Sequence, residues 1–258
     1  MQLLVKSGFT VSLVFLIGSC SYLPDEQTLT SAVTIYEYRD YIEINPTSNQ
    51  YSKTGLVFYP DGFVDPHAYI EPLSRFAIAG AAHKVVIIKM PGNQAFLDRN
   101  QGAWIFEDFP DVKRWVIGGH SQGGIMACSV VHKYPEFFKG LILMAAYPHT
   151  SSNLNDWAGS VLSMRGQYDG LVDSLTIASY SGLLPTPWWV NSISNFPVGK
   201  TPKTVYVTIP GGNYGQFGNY GIQKGDGVAT ITHEAQAEFV SWLILKFFTV
   251  NGLEYGNF

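Results

Sequence analysis

Charge is scarce in this 258-residue chain: Asp, Glu, Lys and Arg together make up 14% of it, with a net charge of −4. No basic stripe is present, which excludes nucleic acid as a partner, and no run of like charge marks a solvated tail. Cysteine is nearly absent. Cys20 and Cys128 are the two, too few for a disulfide framework. No His/Cys/Asp group has metal-ligand spacing and no glycine loop has the form of a phosphate cradle, so neither a metal nor a cofactor is expected. Internal repeats and domain linkers are missing too, and the length suits one domain with a real core.

The N-terminus carries what the rest lacks. One lysine precedes Ser7–Ser19, an uncharged, mostly apolar run of thirteen. That is too short to span a bilayer but suits the apolar core of a signal peptide. The run ends Leu16-Ile17-Gly18-Ser19-Cys20, which resembles a bacterial lipobox. The resemblance implies cleavage before Cys20, lipidation of its thiol and an exported protein anchored to a membrane surface. In a Gram-negative cell, Ser21 would favour the outer membrane; a plain secretory signal is the alternative. Residues 1–19 are therefore read as signal, 20–31 as a polar tether, 32–250 as the folded domain and 251–258 as a tail. With Cys20 lipidated, Cys128 is left as a buried small hydrophobe.

Along the folded part, 32–38 and 41–44 alternate as two half-exposed edge strands should. Continuous apolar runs at 55–59, 84–90, 113–118, 138–146, 160–166 and 204–209 read as strands buried on both faces. Helical spacing is expected over 68–80, 93–106, 122–134, 171–180 and 232–248. The segment 182–203, with four prolines and paired tryptophans, reads as irregular. Strands alternating with helices predict a mostly parallel sheet covered on both faces. The short link from Ala146 to Ser160 leaves no room for a large cap domain.

The centre of the chain is Trp115-Val116-Ile117-Gly118-Gly119-His120-Ser121-Gln122-Gly123-Gly124. A strand runs into Gly-x-Ser-x-Gly and a helix follows, the pattern of a sharp turn with an exposed serine at its apex. Ser121 is the candidate nucleophile. The backbone N–H of Gln122, with that of Gly62 or Phe63 after an earlier strand, would form an oxyanion hole. Asp169, in a turn after a later strand, is the candidate acid, with Asp173 a weaker one and Asp226 a turn-former. His120 is expected to bond locally. The aromatics Phe63, Tyr147, Trp157, Tyr168, Trp188, Trp189, Phe217 and Tyr220 are placed on loops at the same end of the sheet, where some would line an apolar pocket.

These motifs resemble the α/β-hydrolase fold family. The similarity is to a bacterial branch with Gly-His-Ser-x-Gly-Gly, then Gly-x-x-Asp-Gly, then Gly-Gly-Asn-His-x-Gln-Phe-Gly. Here they stand as Gly119–Gly124, Gly166-Gln167-Tyr168-Asp169-Gly170 and Gly211-Gly212-Asn213-Tyr214-Gly215-Gln216-Phe217-Gly218, in the order nucleophile, acid, base. The resemblance covers about residues 30–250. It implies a serine hydrolase of small apolar carboxylic esters or thioesters, with no cofactor and no metal.

One position departs. Tyr214 stands where the family carries its catalytic histidine. A phenol with a reference pKa near 10 is a poor general base at neutral pH. Three readings stay open at this level. His233, the one histidine after Asp169, could be a relocated base; the triad could be broken, leaving a binding protein; or Tyr214 could support an atypical mechanism.

Overall fold

A computed structural model describes residues 22–26, 31–48, 52–80, 83–94, 105–190, 195–196 and 204–254. The signal and Cys20 readings lie outside these residues. Among the described residues, no helix is long and apolar enough to cross a membrane.

Nine strands form one sheet: β1 (Val33–Glu37), β2 (Tyr41–Pro46), β3 (Thr54–Tyr59), β4 (Val85–Ile88), β5 (Arg114–His120), β6 (Phe138–Met144), β7 (Ser160–Gly166), β8 (Pro187–Val190) and β9 (Thr204–Ile209). Their order is β1-β2-β4-β3-β5-β6-β7-β9-β8. Only the pairings β1–β2 and β2–β4 are antiparallel. The helices are α1 (Ile70–Ala77), α2 (Ile105–Asp108), α3 (Gln122–Lys133), α4 (Ser174–Ser179) and α5 (His233–Val250).

The continuous apolar runs explain this architecture. In β3 every residue is buried, and alternate side chains enter different cores. Leu56 and Phe58 join Leu73 and Phe76 of α1 and Leu243, Ile244, Phe247 and Phe248 of α5. Val57 and Tyr59 join Ala127, Val130 and Val131 of α3 on the other face. Cys128 belongs to that second core, fully buried, with its thiol pKa pushed up by burial. His83 is an apolar-core residue too. Its ring stacks on Phe76 at 5.0 Å, and burial pulls its pKa down to about 4.

Three expectations need correction. β2 is not an edge strand, because it pairs with β1 on one side and β4 on the other. Its alternation reflects Glu43, which is buried against Lys84 at 2.5 Å. The irregular segment contains β8, an edge strand parallel to β9. A proline is tolerated at the first position of such an edge. Trp189 covers the neighbouring strand by stacking on Tyr206 at 4.0 Å. The helix expected over 93–106 falls mostly outside the described residues; those described hold a 3-10 turn at Pro91–Asn93 and the single turn of α2.

Candidate active site

The turn from β5 into α3 is built by its glycines. A Cβ on Gly119 would lie 2.3 Å from the Gly123 carbonyl carbon, and one on Gly123 would lie 2.1 Å from the Tyr59 carbonyl oxygen. Only glycine lets the strand, the helix and β3 approach so closely. Ser121 between them has φ 50° and ψ −115°, a conformation that costs a side-chain residue on the order of 1–3 kcal/mol. The strain is held by hydrogen bonds on both sides: the Ser121 N–H donates to the Met144 carbonyl at 2.9 Å, and the Ile125 N–H donates to the Ser121 carbonyl at 3.0 Å. Ser121 is thus half-buried at the C-terminal end of the sheet, at the start of α3.

The oxyanion hole expected there is filled from within. The Asp61 carboxylate, just past the end of β3, accepts through Oδ1 from the Gly62 N–H at 2.6 Å and from the Gln122 N–H at 3.3 Å. Its Oδ2 accepts the phenol proton of Tyr214. The third expected donor, Phe63, is turned to other use, since its N–H donates to the Asn93 carbonyl at 2.7 Å. Of the three expected donors, Gly62 and Gln122 thus converge on the Asp61 carboxylate and Phe63 does not.

Tyr214 is buried beside Ser121, with its phenol proton given to Asp61. Burial foremost, and then the Asp61 charge, push its pKa far above the ordinary phenol value. Loss of its proton would set two negative charges side by side in a dry site. Tyr214 cannot act as a base at neutral pH.

Behind this trio lies His120. Its Nδ1 is 2.8 Å from the Tyr69 hydroxyl, which in turn accepts the Asp61 N–H at 3.1 Å. Its ring centroid is 4.4 Å from that of Tyr214, and burial pulls its pKa down to about 4, so the imidazole is neutral. The expected local bonding is what it does.

Asp169 sits in the turn after β7, where its Oδ1 accepts from the N–H groups of Leu171 and Val172 at 3.0 and 2.7 Å. Its Oδ2 is buried with no hydrogen-bond partner among the described residues. In a working triad that oxygen would accept an imidazole N–H. Burial raises the Asp169 pKa to about 6, against which the two backbone donors pull only partly. Asp173 is an exposed N-cap of α4, bonded to the Thr176 N–H at 2.6 Å.

His233 begins α5, with Nδ1 3.7 Å from a Glu71 carboxylate oxygen and Nε2 buried and unpartnered. Burial lowers its pKa, with Glu71 working the other way. It lines a cavity of about 380 Å³ with Asn213, Gln216 and Asp226, and neither Ser121 nor Asp169 is part of that lining. No hydrogen bond joins His233 to either, so the relocated-base arrangement is not formed.

Two functional positions escaped the sequence reading. Asp61 stands in Pro60-Asp61-Gly62, where a carboxylate next to a candidate oxyanion donor is a legible signal. Asp226 does more than shape its own turn. It accepts the N–H groups of Gly170, Tyr214 and Gly227 on Oδ1 and that of Gly215 on Oδ2, tying the Asp169 turn to the Tyr214 loop. The expected aromatic rim also needs correction. Phe217 and Tyr220 are core. Trp157 lies at the opposite end of the sheet, bonded to the Pro135 carbonyl ahead of β6, and Trp188 and Trp189 belong to β8. Tyr147, which stacks on Tyr180 at 4.4 Å, Tyr168 and Phe63 remain.

Residues 55–238 match the family described as the alpha/beta hydrolase family. The chain belongs to it. Solved structures agree on the fold. The chain is similar to a predicted CIB-like hydrolase from Thermoplasma acidophilum at 13% identity and a TM-score of 0.58, covering 83% of this chain and 99% of that one. It is similar to Est1E from Butyrivibrio proteoclasticus at 14% and 0.55, covering 85% and 100%. It is also similar to carboxyl esterase 2 from Tuber melanosporum at 12% and 0.58, covering 90% and 91%. No curated protein matches the sequence.

Proposed function

We propose that this chain is a non-hydrolytic α/β-hydrolase: it retains the nucleophile turn but binds rather than cleaves, at a membrane surface through lipidated Cys20 after export. One observation carries this reading. The Asp61 carboxylate holds the two N–H donors, Gly62 and Gln122, that a tetrahedral oxyanion would need. A resident anion and a developing one cannot share those donors, because like charges about 3 Å apart in a cleft strongly disfavour one another. The absence of a base points the same way, since Tyr214 is bonded to Asp61 and Asp169 is left with an unpartnered oxygen. The charge on Asp61 also selects the ligand. A small, neutral, ester-like molecule is accepted, and a free carboxylate is repelled.

A second reading has its own support. The strained φ of Ser121 and its contact with Tyr214 favour a serine esterase in which substrate displaces Asp61 and the serine proton passes through the phenol to that carboxylate. A fluorophosphonate probe separates the two. The binding reading expects the parent protein to stay unlabelled and to show no Ser121-dependent turnover of short-chain p-nitrophenyl esters. Labelling of the parent that disappears in Ser121→Ala would establish the esterase instead.

A further inference from the structure

The N-terminal segment is fastened to the same end of the sheet as Ser121. Tyr22 bridges to Val64 in parallel, donating its N–H to the Phe63 carbonyl at 2.7 Å and accepting the Asp65 N–H at 2.9 Å. Its ring packs on Tyr220 at 5.5 Å, and its hydroxyl accepts the Lys224 N–H at 3.4 Å. Three residues on, the Asp25 N–H donates to the Asn219 carbonyl at 2.9 Å. The tether therefore does not hang from the domain by a loose thread. Cys20 precedes Tyr22 by two residues, a reach of no more than about 7 Å.

That end is also where apolar side chains stand out in solvent. The four most exposed large apolar residues described are Ile222 at 94%, Val228 at 86%, Leu175 at 78% and Leu23 at 67%. Leu23 belongs to the docked tether. Leu175 is in the first turn after the Asp169 loop, and Ile222 and Val228 lie in the loop after β9. The two loops are in contact: a Cβ on Gly227 would lie 2.0 Å from the Tyr168 carbonyl oxygen, and one on Gly225 would lie 3.3 Å from the Leu171 side chain. Phe63 and Leu171, on loops at the same end of the sheet, are each about two-fifths exposed. Isolated exposed apolar residues are ordinary, but a cluster at one end of a molecule marks a contact surface.

We infer that this face lies against the lipid bilayer, with Ile222, Val228, Leu175 and Leu23 dipping into its interface, so that the end of the sheet carrying Ser121 faces lipid and not bulk water. The acyl chains on Cys20 would hold the protein at the membrane without orienting it, and a second apolar contact beside them fixes which face meets the lipid. This placement rests on lipidation of Cys20 and is indifferent to whether Ser121 turns over substrate. It directs the Ser121 site to neutral ligands drawn from the membrane, of the chain-bearing ester class.

The test uses the full chain, processed in its host and reconstituted into phosphatidylcholine vesicles that contain doxyl-labelled lipid. Ile222→Cys, Val228→Cys and Glu136→Cys each carry an NBD fluorophore; Glu136 is exposed ahead of β6, at the far end of the sheet. The native Cys128 is buried and does not compete for label. The expected result is at least twofold quenching at positions 222 and 228, with none at 136, on a protein whose mass shows acyl chains on Cys20. Equal quenching at all three positions on the acylated protein overturns the orientation. A chain without lipid on Cys20 overturns the anchor beneath it, and the mass measurement tells the two failures apart.

Discussion

If Asp61 is what closes the oxyanion hole and Tyr214 is what removed the base, the two must be reversed together. The perturbation is Asp61→Gly with Tyr214→His. Freeing one oxyanion donor is worth roughly 10²–10³ in rate, and a positioned general base roughly 10²–10⁴. The double variant should thus exceed the parent in kcat/KM for p-nitrophenyl acetate by about 10⁴ or more. The single variants should stay within about tenfold of the parent, because groups that act as a unit are far from additive. Asp61→Gly has a free hole without a base. Tyr214→His has an imidazole held by a carboxylate that still covers the hole. The acceptor expected for the new imidazole in the double variant is Oδ2 of Asp169, which has no partner among the described residues. The assay is steady-state ester hydrolysis alongside fluorophosphonate labelling, each repeated with Ser121→Ala, with thermal unfolding to confirm a folded protein. Asp61→Asn, which keeps the size of the side chain, covers the case where glycine loosens the turn. A parent that already hydrolyses in a Ser121-dependent way, and loses that activity in Asp61→Asn, would refute the reasoning and make Asp61 the working base.

Other expectations concern stability. Asp169 is protonated more readily in the folded chain, at about 6, than its ordinary 3.8. Between those values the native state holds more protons than the unfolded one, so its contribution to stability falls as pH rises, by up to about 3 kcal/mol. Asp169→Asn should remove that loss: urea unfolding should show a difference between variant and parent that grows from pH 4 to 6 and levels above it, and a flat difference would contradict it. His83 and His120, both near 4, act in the opposite sense, losing stability as pH falls from 6.5 to 4, so only the difference curve isolates Asp169. Tyr214→Phe deprives the Asp61 carboxylate of its phenol donor and should destabilise the protein by about 1.5–3 kcal/mol in chemical denaturation. Gly123→Ala drives a methyl group into the Tyr59 and Pro60 carbonyls; it should cost at least about 3 kcal/mol or prevent soluble expression.

The fold was open to reading because its signals are local. Runs such as Gly140–Met144 and Val85–Ile88 are too short for helices and too apolar for surface strands, and the glycines around Ser121 admit one kind of turn. The Asp169 turn is local in the same way, an acid at a strand end closed by glycine. What could not be read depended on contacts distant in sequence. β2 and an edge strand share one alternation until the partner of Glu43 is known. β8 is held by β9 and a tryptophan stack, not by its own composition. The state of the site turns on where the Asp61 side chain points, and its partners Gln122 and Tyr214 lie far along the chain. Tyr214 at the family's histidine position and Asp61 beside Gly62 both stand in the sequence; that the phenol and the Gly62 and Gln122 N–H groups converge on that one carboxylate is visible only in three dimensions.

Asp61 has a consequence for inhibition. It is a ligand tethered to its own receptor, and a tethered group competes at an effective concentration in the millimolar range or above. A carboxylate or phosphonate designed for esterases must displace it as well as bind. A boronic acid or aldehyde must first form an anion beside one already present. If Asp61 keeps both donors, reagents that report by trapping an oxyanion are expected to be silent here even when a ligand is bound. Occupancy is better followed by displacement of a neutral fluorescent ester.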